Sequence, residues 1–134
     1  MPVTDYLKPE GLYRPRGFVH VAVAAGSKVI EIGGQIAVDA NDELQHRGNY
    51  AGQTELAMRN VVRAVEGAGA QVGDIAKLGI YIVDYRPEIH DDVFSGFGAA
   101  VAATGLRVPA MVVLGISALA HEGALIEIDA TAYL

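Results

Sequence analysis

Two apolar runs within residues 108–133 flank a short loop at 120–123, the pattern of two strands joined by a turn. In the second run Ile126, Ile128, Ala130 and Ala132 alternate with Glu127, Asp129, Thr131 and Tyr133, so period two assigns one set to each face. In the first run Met111, Val113 and Gly115 share a face opposite Val112, Leu114 and Ile116. The pattern predicts an apolar hairpin with two carboxylates, Glu127 and Asp129, on one side of one strand. A surface strand and a functional site account for it equally well.

Alternation marks earlier strands too. Residues 18–24 set Val19, Val21 and Val23 against Phe18, His20, Ala22 and Ala24; a turn at Gly26-Ser27 leads to a strand at 28–32, near enough to pair with the first as a hairpin. Gly33-Gly34 ends that strand and signals a bulge or a close backbone approach. Residues 1–16, with their prolines, read as an extended lead-in, and the polar stretch 38–49 as a surface loop with His46 solvated in it. From about 53 to 66 the period changes. Leu56, Ala57, Asn60, Val61, Ala64 and Val65 recur at spacings of three and four, which predicts a helix capped by Thr54 or Asn49 and closed at Gly67 or Gly69. A turn at 72–76, with Asp74 as its cap, precedes a strand at 78–84. A second helix is predicted over 87–103, with Pro87 and Glu88 in its first turn, a stripe of Val93, Phe94, Phe97 and Val101, and a stop at Thr104-Gly105.

The order ββαβαββ predicts a two-layer α+β domain over residues 1–134: one sheet of about five strands with both helices on one face. The other face is assigned Gly33, Tyr81, Val83, Met111 and Val113, too apolar to be left in water, so a homo-oligomer that covers it is expected.

Composition narrows the chemistry. The absence of cysteine excludes disulfides, thiolate metal sites and a cysteine nucleophile. A net charge of −6 with scattered Lys and Arg argues against nucleic acid as a partner. The longest nearly apolar run, 109–120, is too short to span a bilayer as a helix, and the first ten residues carry Asp5 and Glu10 with no apolar signal core. The expectation is a soluble, cytoplasmic protein without membrane partners. His20, His46, His90 and His121 show no metal-ligand spacing, so no metal site is expected; Ser27, Ser95 and Ser117 have no triad context.

Four segments, in order, resemble the RidA (YjgF-type, L-PSP) family. G-G-Q-I-A-V-D at 33–39 is similar to its S-G-Q-x-x-x-D, and Q-T-E-L-A-M-R-N-V-V-R-A-V-E-G-A-G-A at 53–70 to its helix Q-x-x-x-A-L-x-N-x-x-x-x-L-x-x-A-G. G-D-I-A-K-L-G-I-Y-I-V-D-Y at 73–85 is similar to its next strand. P-A-M-V-V-L-G-I-S-A-L-A at 109–120 and I-E-I-D-A at 126–130 are similar to its terminal P-A-R-S-x-V-x-V-x-x-L and I-E-I-E-A. The resemblance covers about residues 15–133. It implies a fold similar to chorismate mutase, a homotrimer with its three sheets in a central barrel, and three clefts between subunits. It also implies hydrolysis of reactive enamines and imines such as 2-aminoacrylate, with neither metal nor organic cofactor.

Carried over residue by residue, the resemblance makes Glu127 the catalytic residue that positions or activates water, and Phe18, Gly33, Asp91, Met111 and Val113 substrate-binding residues of the cleft. Met111 stands where the family's P-A-R has a carboxylate-holding arginine, and a thioether cannot grip a carboxylate as a guanidinium does. The expected ligand is therefore a small neutral or cationic imine or enamine rather than an imino acid. A substitute cation is sought among Arg107, His20, Arg86 and His121. Two further readings stand beside the hydrolase: a non-catalytic ligand-binding or chaperone-like trimer, and a ribonuclease, against which the acidic charge counts.

Overall fold

The computed structural model describes residues 2–134. In chain order they form β1 (Val3–Leu7), β2 (Val21–Ala24), β3 (Val29–Gln35), α1 (Tyr50–Gly67), β4 (Ile75–Val83), α2 (Pro87–Thr104), β5 (Ala110–Ile116) and β6 (Ile126–Tyr133), with a 3-10 turn at Val72–Asp74. The main sheet has the order β3-β6-β4-β5, and β1 and β2 pair separately. The architecture is the expected α+β one, with both helices on one sheet face. Leu78, Ile80 and Ile82 of β4 and Ile126 and Ile128 of β6 are fully buried in one cluster with Met58, Val61 and Val65 of α1 and Val93 and Phe97 of α2. Burial of each such side chain contributes roughly 1.5–3 kcal/mol.

Strand pairing differs from expectation in three places. First, β2 does not form a hairpin with β3. The lead-in contains β1, whose buried Val3 anchors it and which takes the edge of β2. Gly26-Ser27 hands the chain to its own C-terminal end instead, with the N–H groups of Ser27 and Lys28 both donating to the Leu134 carbonyl at 2.9 Å. Second, β5 and β6 are not a hairpin. Helix α2 returns the chain to the end where β4 began, so β5 runs parallel to β4, and β6 inserts between β3 and β4, antiparallel to both.

Third, β5 presents the opposite faces to those assigned from sequence. The parallel register pairs Leu78 with Met111 and Ile80 with Val113. Paired neighbours share a face, so Met111 and Val113 point to the helix side. Val112 and Leu114, 40% and 48% exposed, lie on the open face with Tyr81.

The helix ends follow local chemistry. The Asn49 side chain caps α1 by accepting from the Gly52 N–H at 2.9 Å, and Thr54 lies inside the helix, donating to the Tyr50 carbonyl at 2.7 Å. The helix therefore starts three residues before its periodicity becomes visible. Gly105, with φ of 75°, closes α2 in the left-handed region. The Asp74 carboxylate accepts from the Gln71 N–H at 2.8 Å and closes the 3-10 turn, as its capping role predicts. Among the described residues no helix is long and apolar enough to cross a membrane.

Candidate functional site

On β6 the predicted alternation holds: Ile126, Ile128, Ala130 and Ala132 are buried under the helices, and Glu127 and Asp129 stand half-buried on the open face. In register, Tyr81 of β4 faces Glu127 and Gly79 faces Asp129. Gly79 leaves room for the Tyr81 hydroxyl, which donates to Asp129 Oδ2 at 3.0 Å. That hydrogen bond, then burial, then the charges of Asp129 and Glu127 hold the phenol above its ordinary pKa of 10.0. Tyr81 therefore stays a protonated donor, and Asp129 is engaged by it.

Gly33-Gly34 shows both features signalled in the sequence. The β3–β6 register shifts between Ile32 and Gln35, a bulge, and the Glu127 carboxylate lies over Gly34, where any Cβ would overlap it. The ion pairs among the described residues belong to Arg59, Arg86 and His121, which leaves Glu127 without a cation.

A groove of about 1020 Å³ opens on the other side of β5, bounded by residues 13–18 and by α2. It exists because β2 leaves the main sheet. Val19 makes one parallel bridge to Ala110, its N–H donating to the Pro109 carbonyl at 3.3 Å, and the chain then turns to pair with β1. Phe18, Met111 and Val113, three of the predicted cleft residues, meet in this groove with Phe94, Phe97 and Val101. The α2 stripe is thus divided: Val93 and Phe97 pack into the core, while half-buried Phe94 and Val101 border the groove.

Four polar side chains in the groove, Tyr13, Arg16, Tyr85 and His90, are absent from the sequence expectation. Arg16 precedes Phe18 in an irregular segment whose lack of periodicity hides it. His90 heads the helical series His90, Phe94, Phe97, Val101, a spacing that does point to it. His90 Nδ1 lies 2.9 Å from the Tyr85 hydroxyl, and its ring packs against Phe94 with centroids 4.7 Å apart. Asp91, one residue further along α2, is exposed and does not line the groove.

None of the four cations sought as substitutes lines the groove either. Arg107 lies over the Tyr6 ring at 3.9 Å, and His20 Nε2 is 2.6 Å from the Tyr13 carbonyl. Arg86 is 4.0 Å from Glu88, and His121 is 3.7 Å from Asp42. Among the described residues no cluster of three His, Asp or Glu side chains is placed to hold a metal ion.

Glu127 and the Gly33-Gly34 bulge therefore lie across the sheet from Phe18, Met111 and Val113. One chain does not bring these residues into one site. Val112, on the edge strand, borders both the groove and a smaller hollow on the open face beside Tyr81 and Asp129.

A model of the endoribonuclease L-PSP family matches residues 12–134. YyfB of Yersinia pestis, a protein of the conserved Rid family, superposes with a TM-score of 0.85 at 30% identity, over 97% of this chain and 98% of that one. E. coli TdcF, solved with bound serine, shares the fold with a TM-score of 0.71 at 21% identity, over 100% of this chain and 98% of its own. A RutC family protein of Pyrococcus horikoshii is 29% identical over 119 residues, 84% of this chain and 94% of the relative.

Proposed function

We propose a function on one premise: this chain belongs to the endoribonuclease L-PSP family. It acts on a small molecule as a hydrolase of enamines or imines, and it does so as a homotrimer whose sites form between subunits. The observation that carries this reading is the division of the candidate residues between two faces of one sheet. The groove has largely apolar walls and no carboxylate, and Glu127 lies on the opposite face of the sheet without a cation. A second copy that lays its open face along the edge of β5 supplies each with the other. It also covers Val112 and Leu114, two exposed apolar side chains on that face.

In the assembled site Phe18, Met111 and Val113 hold the organic part of the ligand. The Glu127 carboxylate fills the space over Gly34, and the open space over Gly33 leaves room for the reacting carbon beside it. Glu127 takes a proton from water as the water oxygen adds to the carbon of the C=N bond and returns it to the nitrogen; the resulting carbinolamine collapses as its hydroxyl proton moves to the nitrogen, so ammonia leaves and C=O forms. One water is consumed for each ammonia released. Asp129 is occupied by Tyr81, so the base is Glu127. Asp91 has no role in this arrangement. RNA is a poor fit, because the net charge is −6 and Glu31, Glu127 and Asp129 gather on the open face.

The test supplies imines formed in situ by an amine oxidase from small apolar amines and follows ammonia release. Wild-type protein accelerates the release, and Glu127→Gln abolishes the acceleration while leaving the trimer intact. 2-Aminoacrylate is turned over slowly, since Met111 offers its carboxylate no cation. Acceleration that survives in Glu127→Gln contradicts the catalytic role. A retained ligand with no turnover by wild-type protein moves the reading to a binding module.

A further inference from the structure

We propose that the substrate is an aryl-bearing imine or enamine, and that the groove selects its aromatic ring through a wall made by His90, Phe94 and Phe97. This deepens the reading of the groove as the ligand site, on which it rests, by naming the organic part of the ligand. The ring needs no charge beside it, which agrees with the neutral or cationic imine expected from the sequence.

Concentration is the first ground. The chain has three phenylalanines, and all three, Phe18, Phe94 and Phe97, line this one groove. The largest fully buried side chains of the core include no aromatic one, so the core is filled without these rings. Phe97 reaches from the core to the groove, and Phe18 and Phe94 are only half-buried.

Orientation is the second. The His90 and Phe94 rings are tilted by 38° with centroids 4.7 Å apart, and Phe94 meets Phe97 edge to face at 6.2 Å. The Tyr85 hydroxyl, 2.9 Å from His90 Nδ1, fixes the His90 ring in that arrangement. A further ring laid beside them meets both a face and an edge, the two geometries that aromatic pairs favour. From β5 comes Met111, whose polarizable thioether makes favourable contacts with ring edges.

Room is the third. Gly98 lies inside α2, where glycine is less favourable than alanine, yet nothing among the described residues stands within 4 Å of the place its Cβ would take. Packing within the chain does not call for it, in contrast with Gly96, whose Cβ would strike the Ala51 carbonyl. Gly98 lines the groove, and its missing side chain keeps the groove open on the helix that carries Phe94 and Phe97.

The probes are phenylacetamide and cyclohexylacetamide, which differ only in the ring, titrated into the intact protein labelled with 13C at its methionine methyls. The saturated ring has the larger apolar area, so burial alone favours cyclohexylacetamide, and ring-to-ring contact reverses the order. Met111 reports on the groove, and the fully buried Met58 is the internal reference. Phenylacetamide is expected to shift Met111 and not Met58, and to bind roughly fivefold more tightly than cyclohexylacetamide. Phe94→Leu, which keeps an apolar side chain, should erase the preference, and Gly98→Leu should abolish binding of both probes. In turnover, ammonia release from the imine of phenethylamine should be accelerated more than release from the imine of cyclohexylethylamine. Equal binding of the two amides, a preference that survives Phe94→Leu, or equal acceleration of the two imines overturns the aromatic selection while leaving the groove as the ligand site. Failure of both amides to move Met111 overturns the groove reading and this inference together.

Discussion

Gln53→Leu is expected to lower the unfolding free energy by about 3–5 kcal/mol, a large share of the 5–15 kcal/mol a domain commands. Gln53 is fully buried. Its amide nitrogen donates to the carbonyls of His46 at 3.3 Å and Gly123 at 3.1 Å, and its amide oxygen accepts from the Leu125 N–H at 2.8 Å. Leucine has nearly the same volume, so packing survives and the change isolates the polar loss. The His46 carbonyl keeps the Asn49 N–H, but the Gly123 carbonyl and the Leu125 N–H lose their partner, and each such group left buried costs about 1–3 kcal/mol, far more than one ordinary hydrogen bond contributes. Urea denaturation should show the midpoint falling with the slope unchanged. A loss under about 1 kcal/mol would show that water reaches the Gly123 carbonyl and the Leu125 N–H. The effect extends to the candidate site, because Gln53 fixes residues 123–125, the lead into β6 and Glu127.

Gly96→Ala is the second large effect, and two contributions oppose each other in it. Alanine in a helix interior gains up to about 1 kcal/mol over glycine. Here, however, a Cβ would run into the backbone carbonyl of Ala51, where α2 crosses α1. Backbone cannot rotate away as a side chain can, so the helices must separate. Overpacking of this kind costs about 1–3 kcal/mol and occasionally more, which outweighs the propensity gain. A net loss of about 2 kcal/mol is expected as a lower melting temperature. A variant that melts higher than wild type would mean that α1 and α2 slide apart freely. Because Phe94 and Phe97 ride on α2, such a shift should also weaken binding in the groove.

Much of the fold was legible because period and caps are local. The alternation along β6, the α2 limits set by Pro87 and Gly105, and the Gly33-Gly34 bulge all follow from neighbouring residues. Pairing was not legible, because it is a property of the whole sheet. Nothing within residues 108–133 says that β6 inserts between β3 and β4, and without that the face of Met111 cannot be assigned. The same holds for the candidate site. Phe18, Met111 and Val113 meet in one groove, while Glu127 points to the open face of the sheet. Arg16 went unnoticed because residues 13–18 have no period, and their place is set by one bridge at Val19. Asp91 and His90 differ by a single step on α2, a rotation of 100° that a gapped resemblance does not resolve.

The origin of the site in two subunits is tested most directly by a distance between chains. The protein has no cysteine, so Glu127→Cys gives a single attachment point for a nitroxide. Spin-labelled chains without 13C are mixed with unlabelled-spin chains carrying 13C-methyl methionine, and assembly of the 14.1 kDa chains into mixed trimers is checked by light scattering. Any broadening of Met111 in that mixture arises from a neighbour's position 127. The Met111 methyl signal is predicted to disappear in the mixed assembly and to return when ascorbate reduces the nitroxide. A Met111 signal that stays sharp in a mixed assembly would contradict a site built from the groove of one subunit and Glu127 of the next.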